Sequence, residues 1–307
     1  MTDTPKLSMR PLDWGMLTVL STFWGGSFLF VGIAISDFPA ITIAFLRVIV
    51  GTLFLWLVLV SMRIKMPTKP RLWASFLIMG ALNGAVPFSL IAWGQSHIAS
   101  GLASILIAVT PLFAVVGAHF ATTDEHMTVS RLAGVLTGLF GVIVLIGPEA
   151  LDGFGNGLFG QIAIILAAVL YASASIYGRR FSKQDIPPLV VATGQVSAGN
   201  VLLLPMVLLV DKPWQLAAPS ALSWAAIGSL GVISTGVAYL LYFRVLASAG
   251  ATNLMLVNFL VPITAIVLGI LVLDEVLLVQ HIAGMLLIAA GLALMDGRVL
   301  AKIKNLL

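Results

Sequence analysis

The chain contains no cysteine, which excludes disulfides, thiolate metal ligands and cysteine nucleophiles together. Charge is scarce as well. Only 9% of the 307 residues are Asp, Glu, Lys or Arg, while 60% are hydrophobic. A soluble domain carries about a quarter charged residues, so apolar surface on this scale needs membrane lipid as its solvent. The four histidines, His97, His119, His126 and His281, show no metal-ligand spacing, and there is no glycine-rich phosphate loop or filter-like loop. Those gaps speak against a metal site, ATP hydrolysis and an ion channel; no cofactor is expected. Linkers long enough to separate folded domains are also missing. The sequence describes one membrane body.

What is present is a series of apolar runs. About 20 apolar residues cross a bilayer as helix, and ten such segments are expected: 14–35, 39–62, 72–93, 98–120, 128–147, 157–178, 188–210, 222–243, 250–272 and 281–297. Short junctions between them carry the helix breakers, such as Pro39, Pro67, Pro70, Pro148, Pro187 with Pro188, and Pro213. The segment 1–13 is polar and the first apolar run is long enough to span, so a cleavable signal peptide is not expected. The net charge of +4 acquires a topological meaning from where the charges fall, and nucleic acid is not an expected partner. With the N-terminus in the cytoplasm, Lys212 alone falls outside and Arg47 within a span, while every other lysine and arginine lies inside. Both termini are therefore expected to be cytoplasmic, with 298–307 as a basic tail.

One pattern occurs twice. Asp124-Glu125, Ala133-Gly134, Leu136 and Gly141 repeat as Asp274-Glu275, Ala283-Gly284, Leu286 and Gly291, with identical spacing, and Pro111 and Pro262 precede the two copies. Two related halves are expected, 14–147 and 157–297. Five spans per half is an odd number, so the second half enters the membrane from the opposite face. Such inverted repeats are how many secondary transporters are built, with the substrate near the midplane.

The ten-span layout, Trp24-Gly25-Gly26-Ser27 in the first span and the doubled proline, acidic and Ala-Gly blocks resemble the EamA-type transporters of the drug/metabolite transporter superfamily, over nearly the whole chain. Within it the sequence looks most like the YddG branch. The resemblance implies an all-α integral membrane protein with no enzymatic activity. It implies an inner-membrane exporter of small metabolites, amino acids including aromatic ones, working by alternating access.

Arg47 is the one charged side chain well inside a predicted span, where an ionised group costs about 3 kcal/mol or more on insertion scales. It is read either as a counter-charge for a substrate carboxylate or as a structural arginine bonding backbone carbonyls or reaching Asp37. All twelve acidic residues fall in termini, hairpins or span edges, so Glu125 and Glu275 are expected to cap and brace hairpins. That distribution counts against the alternative function, a proton-coupled multidrug exporter of lipophilic cations. Neutral polar and aromatic groups at membrane depth suit an organic solute better. The candidates are Trp24, Ser27, Asn83, Gln161, Tyr171, Tyr177, Ser234, Tyr239 and Asn258. Each has a plain packing role open to it as helix–helix glue or interfacial aromatic. Tyr242 is read as an interfacial aromatic. Asn83 and Ser234 occupy matching places when Pro111 and Pro262 are aligned. Both prolines are expected to remove a backbone hydrogen bond within a span, kinking it or letting it gate.

Overall fold

A computed structural model describes residues 9–121, 127–147 and 156–296, and among these every regular element is helical. The elements are α1 (Pro11–Ala34), α2 (Ala40–Ser61), α3 (Pro70–Gly80), α4 (Val86–Gln95), α5 (Ser100–Ile107), α6 (Thr110–Ala121), α7 (Val129–Ile146), α8 (Asn156–Ser182), α9 (Pro188–Met206), α10 (Ala221–Gly231), α11 (Ala238–Leu254), α12 (Val257–Leu273) and α13 (Val279–Asp296). Wide π turns at Ala81–Ala85 and Val232–Val237 join α3 to α4 and α10 to α11, and a third, Val207–Asp211, extends α9. Eight helical stretches are long and apolar enough to cross a membrane, and α12 and α13 are two shorter apolar helices. Ten apolar stretches thus stand close to the ten expected.

Two boundaries and one continuity differ: the eighth stretch ends late, the ninth helix correspondingly starts at Val257 instead of the expected 250, and the fourth stretch is broken. The eighth stretch runs Ala221–Gly250, a full two turns past the expected end at 243, because Arg244 does not stop a helix whose next residues still pack. The fourth is not one helix: it turns at Ala108 and Val109 between α5 and α6. Pro111 therefore sits in the first turn of α6, where its missing N–H costs no helical hydrogen bond. The expectation that it removes one within a helix is corrected. Pro262 does lie inside a helix, α12, so the two prolines do different things.

The outer wall is apolar at helical spacing. Leu53, Leu57 and Val60 on α2, Leu136, Phe140 and Ile143 on α7, and Ile263, Val267 and Ile270 on α12 are all exposed. In water such stripes would drive aggregation; against acyl chains they are the solvated face. Inside, small residues let backbones touch. The doubled glycine blocks form one interface, α7 against α13. A Cβ on Gly134 would come within 2.5 Å of the Gly291 carbonyl oxygen, and one on Gly141 within 2.9 Å of that of Gly284. The first glycine of one copy thus faces the last of the other. Gly80 likewise admits α9, its notional Cβ lying 2.5 Å from the Gln195 carbonyl oxygen. Gly84 has no such neighbour.

Successive stretches alternate in direction, so the bundle has a proximal end, where α1 begins, and a distal end. Three distal carboxylates each grip the start of a helix in another stretch. Asp37 accepts from the Ser220 backbone N–H and hydroxyl (2.9 and 2.6 Å) ahead of α10. Asp211 accepts from the Thr42 N–H and hydroxyl, both at 2.7 Å, in α2. Glu275 accepts from the N–H groups of Ser100 and Gly101 (2.6 and 3.0 Å) that open α5. These are the unpaired donors of helix N-termini, where negative charge is favoured. At the proximal end Asp13 accepts from the Ser248 hydroxyl at 2.7 Å and pairs with Arg10 at 3.2 Å.

Candidate substrate site

The two π turns that interrupt the third and eighth stretches begin 151 residues apart, at Ala81 and Val232, the same offset as Pro111 and Pro262. A π turn leaves part of the helical ladder mismatched, and such turns are frequent at functional sites. The first carries Asn83 and the second Ser234 and Thr235. Both bring polar side chains into the apolar bundle.

Asn83 donates from Nδ2 to the Gln195 Oε1 (3.3 Å) and to the Tyr239 hydroxyl (3.2 Å), and Gln195 Nε2 donates to the same hydroxyl at 2.9 Å. This triangle ties together the turn after α3, the middle of α9 and the first turn of α11. Tyr239 accepts twice there, leaving its own proton to donate. Gln195 is 4% exposed, and buried polar groups of this kind are retained where they are satisfied.

Arg47, 7% exposed, lies beside the triangle on α2. Its Nε donates to the Thr235 hydroxyl at 3.0 Å, and Thr235 in turn donates to the Leu230 carbonyl at 2.9 Å. The guanidinium carbon stands 3.8 Å from the centroid of the Phe88 ring. Asp37 is engaged by Ser220, and no carboxylate pairs with Arg47 among the described residues. The structural reading through Asp37 is thereby excluded. Tyr171 on α8 packs where two core clusters meet, one shared with Phe88 and Tyr239 and one with Trp24, and both tyrosine hydroxyls are within electrostatic range of Arg47.

The other expected residues divide. Trp24 packs against Tyr242 with ring centroids 5.7 Å apart. Tyr242 is therefore partly buried within the lengthened eighth stretch, eight residues before its end at Gly250. Ser234 donates across to the Phe23 carbonyl at 2.8 Å, binding the second π turn to α1. Ser27 donates to its own helix, at Trp24. Tyr177 accepts from Arg180, which also stacks on its ring, at the proximal end of α8. Asn258 donates locally to Met255 at 3.1 Å and lines a small cleft with Ile105, Pro262 and Met285. Gln161, near the distal start of α8, has a buried Oε1 without a partner. Glu275 caps α5 instead of its own following helix, and Glu125 lies outside the described residues. No group of three or more potential metal-ligating residues occurs among the described residues.

The structure brings together Asn83, Tyr239, Tyr171 and Arg47, with Trp24 and Ser234 adjoining. It keeps Tyr177, Asn258 and Gln161 apart from them. Sequence reasoning missed Gln195 and Phe88. A single glutamine in the stretch from Val190 to Leu204, which also carries Thr193, Ser197 and Asn200, was a weak signal for the first; nothing local marks Phe88. Outside the spans, Asp37 is held below the ordinary carboxylate value by its bonds to the Ser220 and Ser223 hydroxyls and the Ser220 N–H.

A model of the EamA-like transporter family matches residues 13–147 and again 158–295. The chain belongs to the EamA-like transporter family. It is 29% identical over 284 residues to the uncharacterized transporter YoaV of Bacillus subtilis, covering 90% of this chain and 94% of that one. It is 26% identical over 261 residues to the uncharacterized inner membrane transporter YedA of Escherichia coli K12, covering 83% and 81%. A probable terminal-alkyne amino-acid exporter of Streptantibioticus cattleyicolor is 26% identical over 294 residues, covering 94% of each chain. One solved crystal structure superposes with TM-score 0.67 over 96% of this chain and 99% of its own at 20% identity, a likeness of fold. This EamA transporter is a multi-pass membrane protein whose partners are small-molecule solutes.

Proposed function

We propose that this EamA protein is a secondary transporter that exports amino acids, aromatic ones among them, across the bacterial inner membrane, in the manner of the YddG branch. The two halves, 14–147 and 157–297, alternate access to a central cavity, with the proximal end and both termini cytoplasmic. The carrying observation is the Asn83–Gln195–Tyr239 triangle between the two π turns, a hydrogen-bonding site walled by Phe88, Tyr171 and neighbouring apolar groups. Neutral donors and flat apolar faces suit a small amphipathic solute. The crosswise glycine pairing of α7 with α13 supports an inverted relation of the halves. The described carboxylates stand at helix ends or in the hairpins between helices, which favours movement down the solute gradient over proton exchange for cations.

The test is uptake of a radiolabelled amino-acid panel by proteoliposomes, with and without a pH gradient. Gradient-independent uptake that Asn83→Ala lowers at least about tenfold, the scale of losing two buried hydrogen bonds, supports the reading. Uptake of a lipophilic cation, driven only by a pH gradient, would replace it with the multidrug alternative.

A further inference from the structure

Arg47 is a buried cation that spends one donor. A guanidinium has five N–H groups in a rigid plane; here Nε serves Thr235, the Phe88 ring covers one face, and the Nη1 and Nη2 groups have no hydrogen-bond acceptor among the described residues. The burial is nevertheless nine-tenths complete. An ionised group at this depth is expensive unless something answers it. Among the described residues the titratable groups that act on it are two phenols, Tyr171 and Tyr239, and an ordinary phenol carries no negative charge near neutrality.

We infer that Arg47 is the carboxylate-binding group of the central site and that the transported solutes are α-amino acids held as zwitterions. This rests on the reading of that site as the substrate site. Phe88 and Thr235 fix the guanidinium plane, so its free Nη edge presents two parallel N–H groups. A planar carboxylate takes such an edge in two-pronged fashion, which a lysine does not reproduce. The uncommitted hydroxyl proton of Tyr239 adds a third donor on that side. The amide oxygen of Asn83, which accepts nothing among the described residues, is the acceptor for an ammonium group. A lipophilic cation finds no counter-charge there and meets Arg47 as a like charge.

Binding is measured on purified full-length protein by thermal shift in detergent, with phenylalanine, phenylalaninamide and phenethylamine as probes. Each is tested with and without added phosphatidylglycerol, which separates a solute carboxylate from a lipid anion. Wild type is expected to be stabilised by phenylalanine and at least about tenfold more weakly by the amide and the amine. Arg47→Lys is expected to raise the apparent Kd about tenfold or more, and Arg47→Gln to abolish discrimination between acid and amide. Equal binding of acid and amide by wild type overturns the inference, as does tighter binding of the amine, unchanged affinity in Arg47→Gln, or loss of solute binding to added anionic lipid. If a variant does not elute as folded protein, the wild-type comparison of acid with amide decides alone. Transport separates the two claims: amino-acid uptake that ignores Arg47 leaves the function standing and removes this inference. Selective uptake of carboxylic acids without an amino group keeps Arg47 as the anion site and removes the amino-acid assignment.

Discussion

The two ends of the bundle are closed by different chemistry. At the distal end Asp37, Asp211 and Glu275 each take two donors from another stretch. At the proximal end, among the described residues, one carboxylate, Asp13, reaches another stretch; the Ser130 hydroxyl donates to the Leu294 carbonyl at 2.7 Å, and apolar packing such as the stacked rings of Phe76 and Phe181, 5.4 Å apart, accompanies them. Hydrogen bonds to a charge are directional and fail when a helix start moves by an ångström or two; apolar contacts slide and re-form. Among the described residues the distal end is therefore held by charge-assisted latches, and the proximal end more by apolar contact.

The lack of cysteine makes this difference measurable, because a single introduced thiol has no background. Ala34→Cys reports the distal end and Ala249→Cys the proximal end; both positions are buried. The largest effect is expected from Asp211→Asn combined with Glu275→Gln. Each change weakens a pair of charge-assisted bonds worth about 1–3 kcal/mol, and well-separated sites add. Labelling of Ala34→Cys should rise severalfold, that of Ala249→Cys should stay unchanged, and the melting temperature in detergent should fall by several degrees. Equal labelling at both positions would erase the distinction between the ends.

Asp13→Asn is the converse and should be weaker, because packing remains: Ala249→Cys labels faster, Ala34→Cys does not, and melting changes less than in the double variant. Acid gives a third, smaller test. The folded protein holds the Asp37 carboxylate below its ordinary value of 3.8, so its clasp contributes stability above that pH and loses it as pH falls through the lower, folded value. The difference in melting temperature between wild type and Asp37→Asn should be constant from pH 7 to about pH 5 and shrink only below about pH 4. A difference that vanishes near pH 6 would mean Asp37 does not act as a carboxylate latch. The smallest effect belongs to Thr42→Val, which removes a hydroxyl but keeps the backbone N–H on Asp211; a loss of about 0.5–1 kcal/mol should move the melting temperature by only a degree or two.

Much of the fold was legible in the residues. Apolar run length placed the ten stretches because lipid dictates it, and the doubled Gly134/Gly141 and Gly284/Gly291 blocks marked what became one helix interface. Asn83 and Tyr239 stood out as polar groups at depth. What stayed hidden depends on neighbours. Asp211 and Thr42 are 169 positions apart, and no local pattern tells which helix start a hairpin acid will meet. Gln195 joins the site only because Gly80 lets α3 lie against α9. Tyr177 and Asn258 had the right chemistry but the wrong depth, each spent on a partner three residues away.

A π turn holds one residue more than the α turn it replaces, and this gives the third and eighth stretches an unusual response to deletion. Removing a residue elsewhere in either helix turns everything beyond it by about 100° and draws it in by about 1.5 Å, carrying lipid-facing side chains into the bundle. Removing one residue from Ala81–Ala85 lets that turn close as ordinary helix with both flanks still in phase. Such a shortened chain keeps its shape and loses the bulge that presents Asn83 to Gln195 and Tyr239. Chain length at these two points is thus tied to how Asn83 and Thr235 meet their partners, while elsewhere in the same helices it is tied to whether the protein folds.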